Sequence, residues 1–345
     1  MKPVIKGLVA AVLGSLLAAA LFVGTAGAAA GSVATGSASC TAATNIEAII
    51  DDSGSMSITD PNKLRVQAMD LLIETLPTST TLGAVAFGSG IAGIPGVFEE
   101  IPAATTLFKP VAIGPNAAAM EASLKANINA DDGATDYNGA FAKADADNPT
   151  AQARIFLTDG GHDEGTYNEA HLAHNVPTYV IGFGSGLSGT ADKARLKKIA
   201  KDTGGQVYEL EDDTELQAVV NKIGAALTCQ TPPRQFTDEL SQGQSKTHSI
   251  TVGAKTHTLQ VTLTWSNPGD NFKFTGLRIK SHGKIVAASR PKPASKIKVS
   301  VKAKSSTFAV LNVSHLRPGT LLFSVKGAKV SGGTVKVTTQ VGGEG

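Results

Sequence analysis

The chain has 345 residues, 42% of them hydrophobic and 5% aromatic, with 37 glycines and a formal net charge of +2. That composition excludes a disordered chain and leaves room for two domains, a tightly turned α/β unit and a β unit. Near neutrality hides a division: up to Cys229 there are 14 Lys and Arg against 25 Asp and Glu, net −11, and from Gln230 onward 17 against four, net +13.

Residues 1–28 read as a targeting segment. Lys2 and Lys6 make a positive start, Gly7 to Val23 is uncharged and apolar, and Ala26, Gly27 and Ala28 supply the small residues a signal peptidase accepts, with cleavage after Ala28 or Ala30. The rival reading is a permanent anchor, but the run lies at the short end of the roughly 17 to 25 residues needed to span a bilayer. The C-terminal Val341 to Gly345 shows no hydrophobic tail or sorting signal. A secreted, extracellular protein of bacterial export type, without a transmembrane anchor after cleavage, is the expectation. Residues 29–41 are small and polar, a flexible lead.

From residue 42 to 229 apolar strands alternate with helical spacing. Strand Asn45–Ile50 ends abruptly in Asp51, Asp52, Ser53, Gly54 and Ser55, and Asp60 and Pro61 read as N-cap and first position of a helix carrying Leu64, Ala68, Leu71, Leu72 and Leu76. There follow strand Thr80–Phe87, a surface excursion over 88–102, an antiparallel edge strand Thr106–Ile113, helix Asn116–Ile128, and a glycine loop placing Thr135 before helix Asp136–Asp145. Strand Ile155–Leu157 ends in Thr158, Asp159 and Gly160. Then come helix Thr166–His174, strand Thr178–Phe183, helix Ala191–Lys201, strand Gln206–Leu210 and helix Asp213–Leu227. This alternation predicts a doubly wound, mostly parallel sheet covered on both faces, with its site beyond the carboxyl ends of the strands. Cys40 and Cys229 flank the unit, and in an oxidising compartment they are expected to pair, with stabilisation of up to about 5 kcal/mol.

Residues 230–236, with Pro232, Pro233 and Arg234, read as a linker. Beyond them, over 237–342, short alternating segments replace helical spacing: Thr247–Val252, Thr258–Trp265, Phe272–Lys280, Ile297–Val301, Thr307–Val313, Leu321–Val325 and Val335–Val341. Seven such strands predict an antiparallel β-sandwich. Lys296, Lys298, Lys302 and Lys304 alternate with Ile297, Val299, Val301 and Ala303, which sends the lysines to one face. That face reads either as a strip for anionic cell-surface polymer or as a solvated, aggregation-resistant edge. Nucleic acid is not expected, because no aromatic residues interleave with these lysines.

Asp51, Ser53 and Ser55 alternate and can turn three oxygens to one point, which suits a hard cation, although an Asp/Ser/Gly turn that only caps a helix uses the same residues. Together with Thr135 and Asp159, in this order, they resemble the metal-ion-dependent adhesion site of von Willebrand factor type A (vWA) domains. The resemblance implies Mg²⁺, or Mn²⁺ or Ca²⁺, held by Ser53, Ser55 and Thr135 directly and by Asp51 and Asp159 through waters and hydroxyls. A protein partner's Asp or Glu would complete the shell. The run Val261–Asp270, with Pro318–Gly327, is similar to β-sandwich domains appended to secreted bacterial peptidases, and transfers no catalytic residue.

Of the neighbouring residues, Asp52, Asp131, Asp132 and Asp136 read as solvated loop, with tuning of metal affinity or repulsion of acidic partners as the alternatives, and His162, Asp163 and Glu164 as lining the ligand face. His171 and His174, at i and i+3, with His162 could suggest zinc, but no Cys or defined ligand spacing supports it, and they read as exposed helical residues. The predicted function is cation-dependent adhesion-type protein binding, not catalysis. The alternatives are a non-catalytic accessory subunit of a secreted enzyme or surface assembly, and a metal-dependent hydrolase, for which no Gly-x-Ser-x-Gly elbow is found.

Overall fold

The computed structural model describes residues 40–88, 90–92, 99–101, 103–129, 133–184, 187, 189–211, 213–230, 233–281, 284–288, 298–316 and 318–344. The targeting segment, Asp131, Asp132 and Lys296 lie outside them. In chain order the first half contains β1 (Asn45–Asp51), α1 (Met56–Thr59), α2 (Leu64–Thr75), β2 (Thr81–Phe87), β3 (Gly90–Ala92), β4 (Glu99–Ile101), β5 (Ala104–Ala112), α3 (Ile113–Asn127), α4 (Tyr137–Asp147) and β6 (Ala153–Thr158). It continues with β7 (Thr178–Phe183), α5 (Thr190–Thr203), β8 (Val207–Leu210) and α6 (Leu216–Leu227).

Six strands form one sheet in the order β5-β2-β1-β6-β7-β8, parallel except for β5, which runs antiparallel to β2. This is the doubly wound architecture that the alternating pattern predicts. The central strands are apolar on both faces because helices cover both. Ile46, Ala48 and Ile50 face α2, α3 and α6, through Leu64, Leu72, Leu124, Val220 and Ile223. Ile49, Val85 and Phe156 face α4 and α5, through Phe141, Ala144, Leu196 and Ile199. Cys40 and Cys229 form a disulfide with Cα atoms 5.7 Å apart, closing a separation of 189 residues. Among the described residues no helix is long and apolar enough to cross a membrane.

The second half is all β: β9 (Arg234–Leu240), β10 (Ser245–Val252), β11 (Thr258–Trp265), β12 (Asn271–Ser281), β13 (Lys284–Ala288), β14 (Lys298–Lys304), β15 (Phe308–Ser314), β16 (Gly319–Lys329) and β17 (Val335–Glu344). Two antiparallel sheets, β10-β16-β12-β13 and β14-β15-β11-β17-β9, enclose Leu240, Val261, Trp265, Phe272, Phe323 and Val337. This is a sandwich, with β9 and β13 in addition to the seven expected strands. β9 begins at Arg234, inside the stretch read as a linker, and its polar, largely exposed run carries little apolar alternation.

The larger sheet of the sandwich also packs against α2 and α6. Along β15, Ala309, Leu311 and Val313 point into the sandwich, while Phe308 and Val310 pack on Leu71 of α2. Gln217 Nε2 donates to Thr307 Oγ1 (2.7 Å), whose hydroxyl donates to Gln67 Oε1 (3.2 Å). Asn221 Nδ2 donates to Gln340 Oε1 and Gln340 Nε2 to the Ala218 carbonyl, both at 2.8 Å.

Three local readings are corrected. Pro61 does not open a helix: Asp60 closes α1, and its carboxylate reaches over the turn to accept from Leu64 N and Arg65 N, so α2 starts at Leu64. The stretch 166–174 is not a regular helix but a bent 3-10 segment, Ala170–Asn175. Glu169, His174 and Asn175 have positive φ there, and Arg154 takes the carbonyls of His171 and Ala173. The alternation along β14 fails because the register against β15 shifts between Val301 and Ala303. Val301 is consequently 66% exposed, Ala303 packs on the Leu71 cluster, and Lys302 donates to the Glu74 carbonyl. Lys298 opens β14 and Lys304 closes it.

Candidate metal centre

Three loops meet at the carboxyl end of β1 and β6. The first follows β1. Asp51 is fully buried, its Oδ1 accepting from Ser53 N (2.9 Å) and its Oδ2 from Thr158 Oγ1 (2.6 Å). The Ser53 and Ser55 hydroxyls lie 3.1 Å apart, which puts the alternate oxygens of this loop side by side.

The third loop follows β6 and supplies Asp159, also fully buried. Ser55 Oγ donates to its Oδ1 (2.8 Å) and Thr59 Oγ1 to its Oδ2. The second loop precedes α4. Gly54 N donates to the Gly133 carbonyl (3.1 Å), joining the first loop to it. Thr135 is buried, and a Cβ at Gly160 would stand 3.3 Å from Thr135 Oγ1 and 3.8 Å from Ser55 Oγ. The absence of a side chain at Gly160 therefore leaves the space onto which both hydroxyls open. All five residues singled out from the sequence come together here.

The electrostatics suit a cation. Asp51 and Asp159 are buried, and among the described residues neither forms an ion pair with Lys, Arg or His. Burial, with the Asp159 carboxylate next in weight, pushes Asp51 up to about 7. Two carboxylates sharing a dry site without a counter-charge are costly unless a proton or a cation offsets them. The donor set is oxygen only, three neutral hydroxyls and two carboxylates, which fits Mg²⁺, Mn²⁺ or Ca²⁺ better than a soft metal. Among the described residues no group of three or more His, Cys, Asp and Glu is placed to hold a metal, so zinc ligation through His162, His171 and His174 is not formed.

The surrounding residues hold the loops. Asp52 is buried, pairing with Arg65 (2.7 Å) and accepting from Asn129 N (2.9 Å), which corrects the solvated reading. Arg65 also pairs with Asp60 (2.9 Å). Asp136 caps α4 by accepting from Asn138 N. Asp163 braces Thr135, accepting its N–H at 2.6 Å and donating its own N–H to the Thr135 carbonyl at 3.1 Å. The Tyr137 hydroxyl donates to the Gly160 carbonyl (2.6 Å). His171 is fully buried, bonded to Tyr167 and to Asp202 (3.2 Å), so it is not an exposed helical residue, whereas His174 reaches Asp145 at 3.2 Å from the surface.

Sequence reasoning did not single out Thr158, Thr59 or Tyr137. Thr158 directly precedes Asp159 and Thr59 lies four residues after Ser55, but a hydroxyl that supports a carboxylate leaves no pattern of its own.

No protein-family model and no curated protein sequence matches this chain. Among solved structures it is similar to a von Willebrand factor type A protein from Catenulispora acidiphila, 17% identical with a TM-score of 0.43, over 85% of this chain and 64% of that one. Proximal thread matrix protein 1 from the mussel byssus, with a zinc-occupied MIDAS motif, is 16% identical with a TM-score of 0.41, over 58% of this chain and 50% of that one. The pilus adhesin SpaC from Lactobacillus rhamnosus GG is 12% identical with a TM-score of 0.40, over 88% and 44%. The chain thus spans less than two-thirds of the length of each, and at these scores the likeness adds nothing to the geometry above.

Proposed function

We propose that this protein is an exported, cation-dependent protein-binding module of the vWA type, in which a partner's Asp or Glu completes the coordination of a divalent ion. The observation that carries the reading is the meeting of Asp51, Ser53, Ser55, Thr135 and Asp159 around the open space at Gly160. In this reading Ser53, Ser55 and Thr135 would hold the ion through neutral hydroxyls, and Asp51 and Asp159 would orient those hydroxyls and balance charge. A bound Mg²⁺, or Mn²⁺ or Ca²⁺, would supply a positive centre with a position left for an outside carboxylate. The chain's own part is to keep the hydroxyls converged, through Asp163 on Thr135 and Thr158 on Asp51. The disulfide between Cys40 and Cys229 supports an oxidising, extracellular setting.

In this reading the Ser55 and Thr158 hydroxyls are held by Asp159 and Asp51 for coordination and support, not for attack on a substrate. Isothermal titration with Mg²⁺ and Mn²⁺ should give a saturable heat on the native protein and none on Asp51→Ala; equal heats from both proteins would refute the metal site. A partner captured from extracellular material should be released by chelator, and one retained in its presence would refute completion by a carboxylate. Turnover of a model ester or peptide that disappears with Asp159→Ala would overturn the non-catalytic reading.

A further inference from the structure

Two residues beyond Gly160, the same loop turns away from the hydroxyl cluster and lines a second depression. It is a cleft of about 480 Å³ between residues 162–169 and the face of α5 that carries Arg195 and Lys198. The cleft and the hydroxyl cluster share one loop: Gly160 faces Thr135 and Ser55, whereas a Cβ at Gly161 would fall on Asp192 of α5.

His162 is the unusual group in it. Its side chain is 1% exposed. Nδ1 accepts the Tyr137 N–H at 3.1 Å, which places the proton of the neutral ring on Nε2. Burial holds the imidazole below its usual value, against the pull of Asp136. Nε2 is buried and has no hydrogen-bond partner among the described residues. A buried N–H donor without an acceptor costs about 1–3 kcal/mol, and native structures satisfy nearly all such groups. The ring is held by Tyr137 and Tyr167, with centroids at 5.7 and 5.5 Å, so it cannot swing to another acceptor without leaving both.

Arg195 stands on the opposite wall. Its guanidinium lies over the Tyr167 ring at 5.6 Å from the centroid, and its one ion pair among the described residues is a long one, Nη1 to Asp192 Oδ1 at 3.5 Å. Lys198 is occupied by Glu169 (3.0 Å) and Asp202. The cleft therefore offers two sets of donors, the His162 N–H and a guanidinium whose planar fork matches a carboxylate.

We propose that this cleft takes a second carboxylate of the acidic partner segment, hydrogen-bonded by His162 Nε2–H and the Arg195 guanidinium, while the first carboxylate goes to the cation. The inference rests on the function proposed above for the first carboxylate, but the cleft itself contains none of the five metal-site residues. The partner chemistry it specifies is a segment with two acidic side chains, not one.

The test uses the full chain loaded with Mg²⁺ and capped peptides with two glutamates separated by glycine spacers of increasing length, each against its twin with the second glutamate changed to glutamine. The best two-glutamate peptide should bind about tenfold more tightly than its twin, the value of one charge-assisted carboxylate contact. Arg195→Gln should abolish that preference and leave the Mg²⁺ titration unchanged. In chelator, the same peptide should still move the His162 Nε2 resonance in a nitrogen-detected spectrum of the native protein. A preference that survives Arg195→Gln, or a Nε2 resonance that does not move, overturns the proposal whatever the cation does. Loss of Mg²⁺ binding and chelator sensitivity, with the Arg195-dependent preference and the Nε2 shift intact, would instead overturn the metal reading and leave the cleft.

Discussion

Replacing Glu47 by Gln should remove a pH dependence of stability that has no connection with the candidate metal centre. Glu47 lies in β1 on the face covered by α4 and is fully buried. Its Oε2 accepts from Asn148 Nδ2 at 3.1 Å, and its Oε1 has no partner among the described residues. It fits only because residue 83 is glycine: a Cβ there would fall on the Glu47 carboxyl and within 2.9 Å of Pro110 Cγ. Burial, eased by the Asn148 bond, pushes Glu47 up from its ordinary 4.5 to about 8. Between those two values the folded chain keeps a proton that the unfolded chain has lost, so the native state binds more protons and stability must fall as pH rises. The slope is about 1.4 kcal/mol per pH unit, and over the whole interval the loss is on the order of 4 kcal/mol. Glutamine retains an oxygen for Asn148 and cannot ionise. The two proteins should therefore have similar stability near pH 4.5 and diverge steadily above it, with Glu47→Gln the more stable at pH 8. Urea unfolding with the disulfide intact, repeated from pH 4.5 to 8.5, measures this directly. Parallel curves for the two proteins would show that Glu47 is charged in the fold and that the argument from its burial is wrong.

Arg65→Ala should cost about 3–5 kcal/mol, because Asp52 and Asp60 would both remain buried without their guanidinium; calorimetric melting reads the loss, and a change below about 1 kcal/mol would contradict it. Gly205→Ala should be far more damaging than Gly204→Ala. A Cβ at 205 falls on the Thr178 backbone carbonyl, which cannot yield, whereas at 204 the space is open and only the left-handed φ of 76° opposes it, at about 1–2 kcal/mol; equal melting points would refute the distinction. Leu71→Ala should open a cavity against Phe308 and Val310 and cost about 2–4 kcal/mol, seen as a lowered urea midpoint and faster proteolysis between the halves.

The sheet, its site end and the five oxygen-bearing residues were legible because each leaves a local mark: an apolar run that stops, then a cluster of short polar residues. Asp51 and Asp159 end β1 and β6, and that is enough to place them. The residues that hold them were not legible. Asp52 reads as one more loop acid until Arg65, thirteen positions on, is seen against it at 2.7 Å. His162 likewise turns inward, and exposed Asp163 reaches back to Thr135, because the second and third loops pack together, a long-range fact. Polar β9 and bulged β14 escaped for a different reason: their exposure is set by neighbouring strands, so neither keeps a clean alternation.

The docking of the sandwich was written into α2 and α6, though it needs the structure to be read. A helix that covers one face of a sheet shows an apolar stripe about a third of its circumference wide, with the rest polar. α5 behaves in that way, burying Leu196, Ile199, Ala200 and Thr203 among its 14 residues. In α2, nine of 12 residues are buried, including Arg65 and Asp70, and in α6 the polar Gln217 and Asn221 are buried with the apolar set. Such helices need a second covering layer, and buried amides need partners in it, which Thr307 and Gln340 provide. One end of α2 therefore reaches the candidate metal loop through Arg65 and Asp52, and its middle reaches the sandwich through Gln67 and Leu71. A sandwich docked on this helix rigidifies the element that supports the first loop, so the basic half contributes to the stability of the acidic half.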